Sequence, residues 1–285
     1  MEWLDKMMTD GIGRYLQYSD WMFLNIFALK YSVSRWFSPK VTHGREVVLH
    51  AHQSVFTYGR ETAKRVLFMV PGGGFVYDRT GTIDGSMHAL ATHADMFIVV
   101  CPYQVAPIAK FPQIHDQVRV AFDDVVTRFQ FQSDTALYVG GESAGGSIAM
   151  DTIKYIQTQS SHPLAGIILW YMTPSMTTLP PDSLKFQTVL LNPYDYAYYI
   201  RSYTNTIMDV NSPRFSPIHC QYARVPCLTF VSNKDIYQHV QTEFGNRVSA
   251  DLQMVDHRHG YLSDIKSAQQ DFPAVVDFLT RTTVI

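Results

Sequence analysis

The sequence predicts an α/β fold in which a mostly parallel β-sheet is covered by helices on both faces. Short apolar runs recur along the chain, and segments with helical periodicity lie between several of them. The predicted strands are residues 66–70, 96–100, 136–139, 165–169, 227–231 and 252–255, and the helical candidates include residues 113–131 and 147–157. Strands that alternate with helices in this way usually pair in parallel.

The 285 residues are 46% hydrophobic, which is enough for one large core. We expect a single domain over residues 1–285 with a small helical lid. Two stretches are candidates for the lid: residues 1–40, which are rich in aromatic residues and methionine, and residues 174–217, where six prolines surround an aromatic segment. The tyrosines at 194, 196, 198 and 199 either pack in a core or form a substrate wall, and both interpretations stay open.

Charge and composition exclude several classes of partner. The formal net charge is −2 and there is no block of basic residues, so we expect no nucleic-acid partner. The apolar run at residues 21–29 is shorter than the roughly 20 residues that cross a bilayer, and the first ten residues do not resemble an export signal. With Cys101, Cys220 and Cys227 expected as reduced thiols, these features predict a cytoplasmic protein without a transmembrane segment.

Ser143 is the candidate nucleophile. The sequence Gly141-Glu142-Ser143-Ala144-Gly145 fits the pattern G-x-S-x-G, follows the predicted strand 136–139 and precedes a segment that can begin a helix. A serine in a sharp strand-to-helix turn presents its hydroxyl above the sheet, and the helix start favours a developing oxyanion. An ordinary glycine-rich turn is the alternative interpretation.

A second glycine-rich loop, Pro71-Gly72-Gly73-Gly74-Phe75, follows the predicted strand 66–70. Three successive glycines let backbone amides approach a substrate oxygen, so the loop is a candidate for binding the oxyanion. The alternative is a phosphate-binding loop. That loop needs a lysine followed by serine or threonine, and the segment PGGGFVYDRT contains no lysine.

A serine nucleophile requires a histidine that takes its proton and an acid that orients the histidine. Asp235 follows the predicted strand 227–231 through a turn at residues 232–234, and two histidines, His257 and His259, follow the strand 252–255. We prefer His259 as the base because the glycine after it permits a loop that returns toward the sheet.

Metal binding is a further hypothesis. His50 and His52 would lie on one face of a strand, and His257 and His259 have the same spacing. No third ligand stands near either pair in the sequence, so we expect no metal and no cofactor.

These blocks resemble the hormone-sensitive-lipase-like branch of the α/β hydrolases over about residues 66–261. The glycine loop at 71–75 is similar to the family's His-Gly-Gly-Gly-Phe, and the elbow at 141–146 to its Gly-Asp-Ser-Ala-Gly-Gly. Residues 103–116 are similar to its Tyr-Arg-Leu-Ala-Pro-Glu segment and the Phe-Pro that follows, and residues 259–261 to its His-Gly-Phe.

The resemblance implies an α/β-hydrolase fold and an esterase for short or medium acyl esters. It implies that the N–H groups of Gly73, Gly74 and Ala144 form the oxyanion hole, and that Asp235 is the acid. Pro71 stands where the family has a histidine that braces the glycine loop, so this brace is expected to be lost. A misplaced oxyanion donor costs about 3 kcal/mol.

Three functions stay open at this point. The favoured one is a carboxylesterase or lipase-like serine hydrolase that forms an acyl-enzyme on Ser143 with a small-molecule ester. An amidase or arylformamidase would use the same residues, and a non-catalytic ligand-binding protein would keep the scaffold without the reaction. A homodimer is equally open.

Overall fold

The computed structural model describes residues 39–282 except 51, 133, 160–162, 178–184, 187–190 and 192. The described strands are β1 (Arg45–Val48), β2 (Ser54–Tyr58), β3 (Arg65–Val70), β4 (Phe97–Val100), β5 (Ala136–Glu142), β6 (Leu164–Trp170), β7 (Cys227–Lys234) and β8 (Asp251–Arg258). The described helices are α1 (Asp84–His93), α2 (Gln113–Phe129), α3 (Ala144–Gln159), α4 (Pro193–Tyr203), α5 (Gln238–Arg247), α6 (Ile265–Ala268) and α7 (Phe272–Thr282). The lid candidate at residues 1–40 lies almost wholly outside the described residues.

The eight described strands form one sheet in the order β1-β2-β4-β3-β5-β6-β7-β8. The strands from β4 to β8 along this order pair in parallel, whereas β1 pairs antiparallel with β2, and β2 with β4. The predicted α/β fold with a mostly parallel sheet is therefore confirmed. The carboxyl ends of the parallel strands lie at one edge, where such sheets place their ligands.

Both faces of the central strands are buried, which explains their continuous apolar sequences. Neighbouring residues of β3 point to opposite faces: Phe68 belongs to one hydrophobic cluster and Leu67 to the other. Val139 and Tyr138 of β5 divide between the same two clusters. The helices cover these two faces, and none of those in the described ranges is long and apolar enough to span a bilayer.

Two local predictions are wrong. His50 and His52 do not share a strand face, because the register of β1 with β2 ends at the pair Val48 and Ser54 and both histidines lie outside the two strands. The turn predicted at 232–234 is instead the end of β7, which extends to Lys234 and pairs there with β8. Parallel pairing with a long neighbour thus extends a strand through polar residues.

Candidate active site

Ser143, His259 and Asp235 form a chain of hydrogen bonds at the carboxyl edge of the sheet. Ser143 Oγ lies 2.7 Å from His259 Nε2, and His259 Nδ1 lies 2.7 Å from Asp235 Oδ2. Each residue directly follows a strand, β5, β8 and β7 respectively. The structure thus brings together the three side chains that the sequence predicted as a unit, although their roles stay a prediction.

Ser143 occupies a strained turn between β5 and α3. Its φ is 52°, in the left-handed region that non-glycine residues rarely adopt. The turn needs glycine on both sides: a Cβ at Gly141 would lie 2.6 Å from the Gly145 carbonyl oxygen, and one at Gly145 would lie 2.2 Å from the Val70 carbonyl oxygen. The geometry is that of the predicted nucleophile elbow.

Asp235 is 1% exposed and its carboxylate is held by more than the histidine. Oδ1 accepts a hydrogen bond from the Tyr237 backbone N–H at 2.9 Å, and Oδ2 accepts one from Gln241 Nε2 at 2.9 Å. These contacts fix the carboxylate so that it can orient His259. The sequence analysis missed Gln241, which lies on α5 at a position without a recognisable motif.

Two opposed effects set the pKa of His259. Burial acts to lower it, but the Asp235 carboxylate and the hydrogen bond to it act in the other direction and outweigh burial, so the pKa is raised above 6.5. The imidazole is therefore a stronger base than an ordinary histidine.

We expect kcat/KM for ester hydrolysis to rise with pH as His259 loses its proton, with a midpoint above 6.5 because the folded-state pKa is raised. A pH–rate profile on a neutral ester measures this midpoint. Asp235→Asn should shift it downward as well as lower the rate by about 10⁴-fold. A midpoint below 6.5 in the wild type would contradict the assignment of His259 as the base.

The glycine loop presents amides to the same place. Gly73 and Gly74 have φ values of 124° and 60°, both in the left-handed region, and their N–H groups donate to no described residue. Ala144 is the first residue of α3, so its N–H has no acceptor within the helix. All three residues line the cavity that contains Ser143. The arrangement can bind a negatively charged oxygen.

Glu142 braces the glycine loop, in which Pro71 stands at the position expected for a bracing histidine. The Gly72 N–H donates to Glu142 Oε1 at 2.5 Å, and the Tyr103 hydroxyl donates to the Gly72 carbonyl at 3.4 Å. Glu142 is 5% exposed, and burial raises its pKa. The unbraced loop expected from Pro71 is therefore not found, and the bracing role of Glu142 was missed.

We expect Gly73→Ala to reduce kcat/KM by about 10²- to 10³-fold, since a Cβ there would lie 1.9 Å from the Tyr77 carbonyl oxygen and would displace the loop amides. Steady-state kinetics on folded protein, checked by circular dichroism, measure the loss. Gly59→Ala is the matched control: Gly59 also has a positive φ and its Cβ would lie 2.1 Å from the Met96 carbonyl oxygen, away from the cavity. An equal loss of kcat/KM in both variants would contradict the prediction.

A cavity of about 420 Å³ lies above Ser143. Its wall is mostly apolar and aromatic and includes Ile83, Met176, Leu191, Tyr199 and Tyr237. Helix α4 lies within the predicted lid stretch 174–217. Its tyrosines include one of each predicted kind: Tyr199 forms part of the cavity wall, whereas Tyr196 is fully buried in the core.

Stacking and ion pairs attach this stretch to the sheet domain. The ring of Phe75, in the glycine loop, stacks on Tyr203 of α4 with 4.0 Å between ring centroids. Arg214 Nη2 lies 2.6 Å from Asp116 Oδ1, and Arg214 Nε lies 3.2 Å from Asp151 Oδ1. These contacts fix α4 and the glycine loop relative to each other, and so shape the cavity.

A buried carboxyl group supports the loop behind His259. Asp271 Oδ2 accepts hydrogen bonds from the Tyr261 hydroxyl and from Trp170 Nε1. Asp271 is 2% exposed, and burial raises its pKa to about 7. The group therefore changes charge near neutral pH.

Because folded Asp271 holds its proton up to a higher pH than the unfolded chain does, we expect the free energy of unfolding to fall as pH rises from 3.8 to about 7. The loss should be roughly 2–4 kcal/mol. Asp271→Asn keeps an acceptor for both donors and does not titrate, so it should flatten this part of the profile. Denaturant unfolding of both proteins at pH 5 and pH 8 measures the difference, and parallel losses would contradict the prediction.

Within the described ranges, no three histidine, cysteine, aspartate or glutamate side chains converge as metal ligands would. The cavity contains Arg79, Arg258 and His259 as its basic residues. The hydrogen-bonded chain from Ser143 through His259 to Asp235 can support nucleophilic attack by a hydroxyl with proton transfer through an imidazole.

Known proteins share this arrangement of elements. A family model described as alpha/beta hydrolase fold matches residues 67–260. A hyperthermophilic esterase from the archaeon Pyrobaculum calidifontis is similar, with 18% identity, 95% of this chain and 97% of that chain covered, and a TM-score of 0.76. The carboxylesterase EstE1 from a metagenomic library has 17% identity, coverage of 92% and 98%, and a TM-score of 0.75.

A hormone-sensitive lipase from a metagenome library is also similar, with 14% identity, 90% of each chain covered and a TM-score of 0.75. At such identities the likeness concerns the fold. The predicted resemblance to hormone-sensitive-lipase-like proteins is confirmed at that level.

Proposed function

We propose that this chain, which belongs to the alpha/beta hydrolase fold family, is a serine hydrolase that cleaves short- to medium-chain carboxylic esters through an acyl-enzyme on Ser143. The hydrogen-bonded chain from Ser143 through His259 to Asp235 is the observation that carries the proposal. A cavity of about 420 Å³ falls within the range of small-ligand sites.

In the first half of the reaction, His259 Nε2 takes the proton from Ser143 Oγ as the oxygen attacks the ester carbonyl carbon. The carbonyl oxygen becomes an oxyanion and accepts hydrogen bonds from the N–H groups of Gly73, Gly74 and Ala144. The carbon–oxygen ester bond then breaks, and His259 donates the proton to the departing alcohol.

In the second half, a water molecule attacks the acyl group on Ser143 while His259 takes one of its protons. The second tetrahedral intermediate collapses, the carboxylic acid leaves, and the proton returns to Ser143 Oγ. Asp235 stabilises the imidazolium in both halves and keeps Nδ1 protonated, which leaves Nε2 free to act as the base.

Labelling by a fluorophosphonate probe and turnover of a panel of p-nitrophenyl esters test the proposal. We expect stoichiometric labelling of the wild type, with higher kcat/KM for acetyl to octanoyl esters than for aryl formamides. Faster turnover of the formamides would favour an amidase. A folded wild type without labelling or turnover would favour a ligand-binding protein.

We further propose that the chain is a single domain, that the 174–217 stretch acts as a lid and that the protein is cytoplasmic. The physiological partner in this proposal is a small-molecule ester.

A further inference from the structure

The cavity wall contains a half-buried guanidinium group that has no partner among the described residues. Arg79 follows the glycine loop, and its side chain starts against that loop: a Cβ placed on Gly73 would lie 3.1 Å from Arg79 Cγ. Arg79 lines the same cavity as Ser143. Its backbone carbonyl accepts hydrogen bonds from Thr82, but its guanidinium group makes no hydrogen bond or ion pair with any described residue.

Glu142, the carboxylate in the described cavity lining, does not neutralise Arg79. It accepts the hydrogen bond from the Gly72 N–H and interacts with the hydroxyl of Tyr171. No ion pair joins it to Arg79, and Arg79 exerts only a longer-range attraction on it. Asp195 and Arg79 both act on the hydroxyls of Tyr77 and Tyr199, but no carboxylate of the described residues forms an ion pair with the Arg79 guanidinium, so a ligand in the cavity can supply one.

The positively charged Arg79 side chain in the cavity wall is stabilised when a ligand supplies a negative charge. The surrounding lining is largely apolar, so Arg79 has lost part of its hydration. A guanidinium is a planar fork that donates two parallel hydrogen bonds to a carboxylate. A carboxylate on the substrate would match both the charge and this geometry.

We propose that the preferred substrate is a half-ester of a dicarboxylic acid, with its free carboxylate bound by Arg79. The ester carbonyl would lie at the amides of Gly73 and Gly74, beside the stem of Arg79. This inference rests on the ester hydrolysis proposed above and makes Arg79 a specificity-determining residue. Hydrolysis of this ester adds one water and releases an alcohol and the dicarboxylic acid.

Two methyl esters of equal acyl length test the inference: monomethyl adipate, with a free carboxylate, and methyl hexanoate, without one. At pH 8 we expect wild-type kcat/KM to be about 10- to 100-fold higher for monomethyl adipate, as a charge-assisted hydrogen-bonded pair would provide. Arg79→Met should remove this preference by raising KM for monomethyl adipate, with little change for methyl hexanoate. Arg79→Lys should restore part of it.

Arg60→Met is the matched control for net charge, because Arg60 is exposed and pairs with Asp95 away from the cavity. It should keep the wild-type preference. Equal kcat/KM for the two esters in the wild type would overturn the inference and leave ester hydrolysis in place. Loss of the preference in Arg258→Met but not in Arg79→Met would also overturn it. Absence of turnover together with absence of fluorophosphonate labelling would remove the proposed function itself.

Discussion

Ser143→Ala is expected to lower kcat for ester hydrolysis by about 10⁶-fold while the protein stays folded. The substitution removes the oxygen that forms the acyl-enzyme, and no neighbouring group in the described site replaces it. The amides of Gly73, Gly74 and Ala144 remain, so a residual acceleration over water of roughly 10³- to 10⁴-fold is expected from oxyanion binding. Steady-state and single-turnover kinetics on a p-nitrophenyl ester measure the wild-type kcat and the residual rate of the variant.

Ser263→Ala is the matched control for this variant. Ser263 lines the same cavity, but its hydroxyl donates to the Gly260 carbonyl at 2.8 Å and not to a histidine. Fluorophosphonate labelling should disappear in Ser143→Ala and persist in Ser263→Ala. Labelling that survives in Ser143→Ala would place the nucleophile elsewhere and contradict the acyl-enzyme mechanism. Alanine keeps the Cβ and therefore the strained φ of 52°, so the variant should unfold at a temperature close to that of the wild type.

The sequence predicted those parts of the fold that a short run of neighbouring residues specifies. The buried central strands are continuous apolar runs because both faces of the sheet are covered, and all six predicted strands exist. The prediction that residues 252–255 form a buried strand is wrong: β8 is the edge strand of the sheet, and Met254 is 53% exposed. The need for a continuous apolar run also explains why β1 and β2 were not predicted from the sequence. β1 is mostly exposed and β2 alternates partly buried with buried positions, so neither is a continuous apolar run.

The site could be predicted only as far as chain order and motif spacing reach. Ser143, Asp235 and His259 each follow a strand of a parallel sheet, and the ends of such strands converge. The supporting contacts of the site have no motif: Gln241 donates to Asp235 from a helix that begins just after it, and Glu142 accepts a hydrogen bond from Gly72, 70 residues earlier. No single-sequence pattern distinguishes such a side chain from its solvent-exposed equivalents.

His259→Ala should reduce kcat by about 10⁴- to 10⁶-fold, because Ser143 then has no base within hydrogen-bonding distance. The histidine two residues earlier offers a matched comparison in the same strand-end segment. His257 stacks on Tyr261 with 4.7 Å between ring centroids and contacts neither Ser143 nor Asp235 in the described hydrogen bonds. We therefore expect His257→Ala to change kcat less than tenfold, roughly the effect of a lost packing contact.

His259→Ala and His257→Ala together show which of the two histidines is the base, a choice that the sequence spacing alone left open. Kinetics on the upper plateau of the wild-type pH–rate profile are decisive, since His259 has lost its proton there and the loss measures base catalysis rather than charge. Fluorophosphonate labelling should also slow in His259→Ala, because the unassisted hydroxyl is a weak nucleophile. A large loss in His257→Ala with near-normal turnover in His259→Ala would show that the imidazole 2.7 Å from Ser143 Oγ is not the base. The mechanism proposed for this cavity would then require a different proton acceptor.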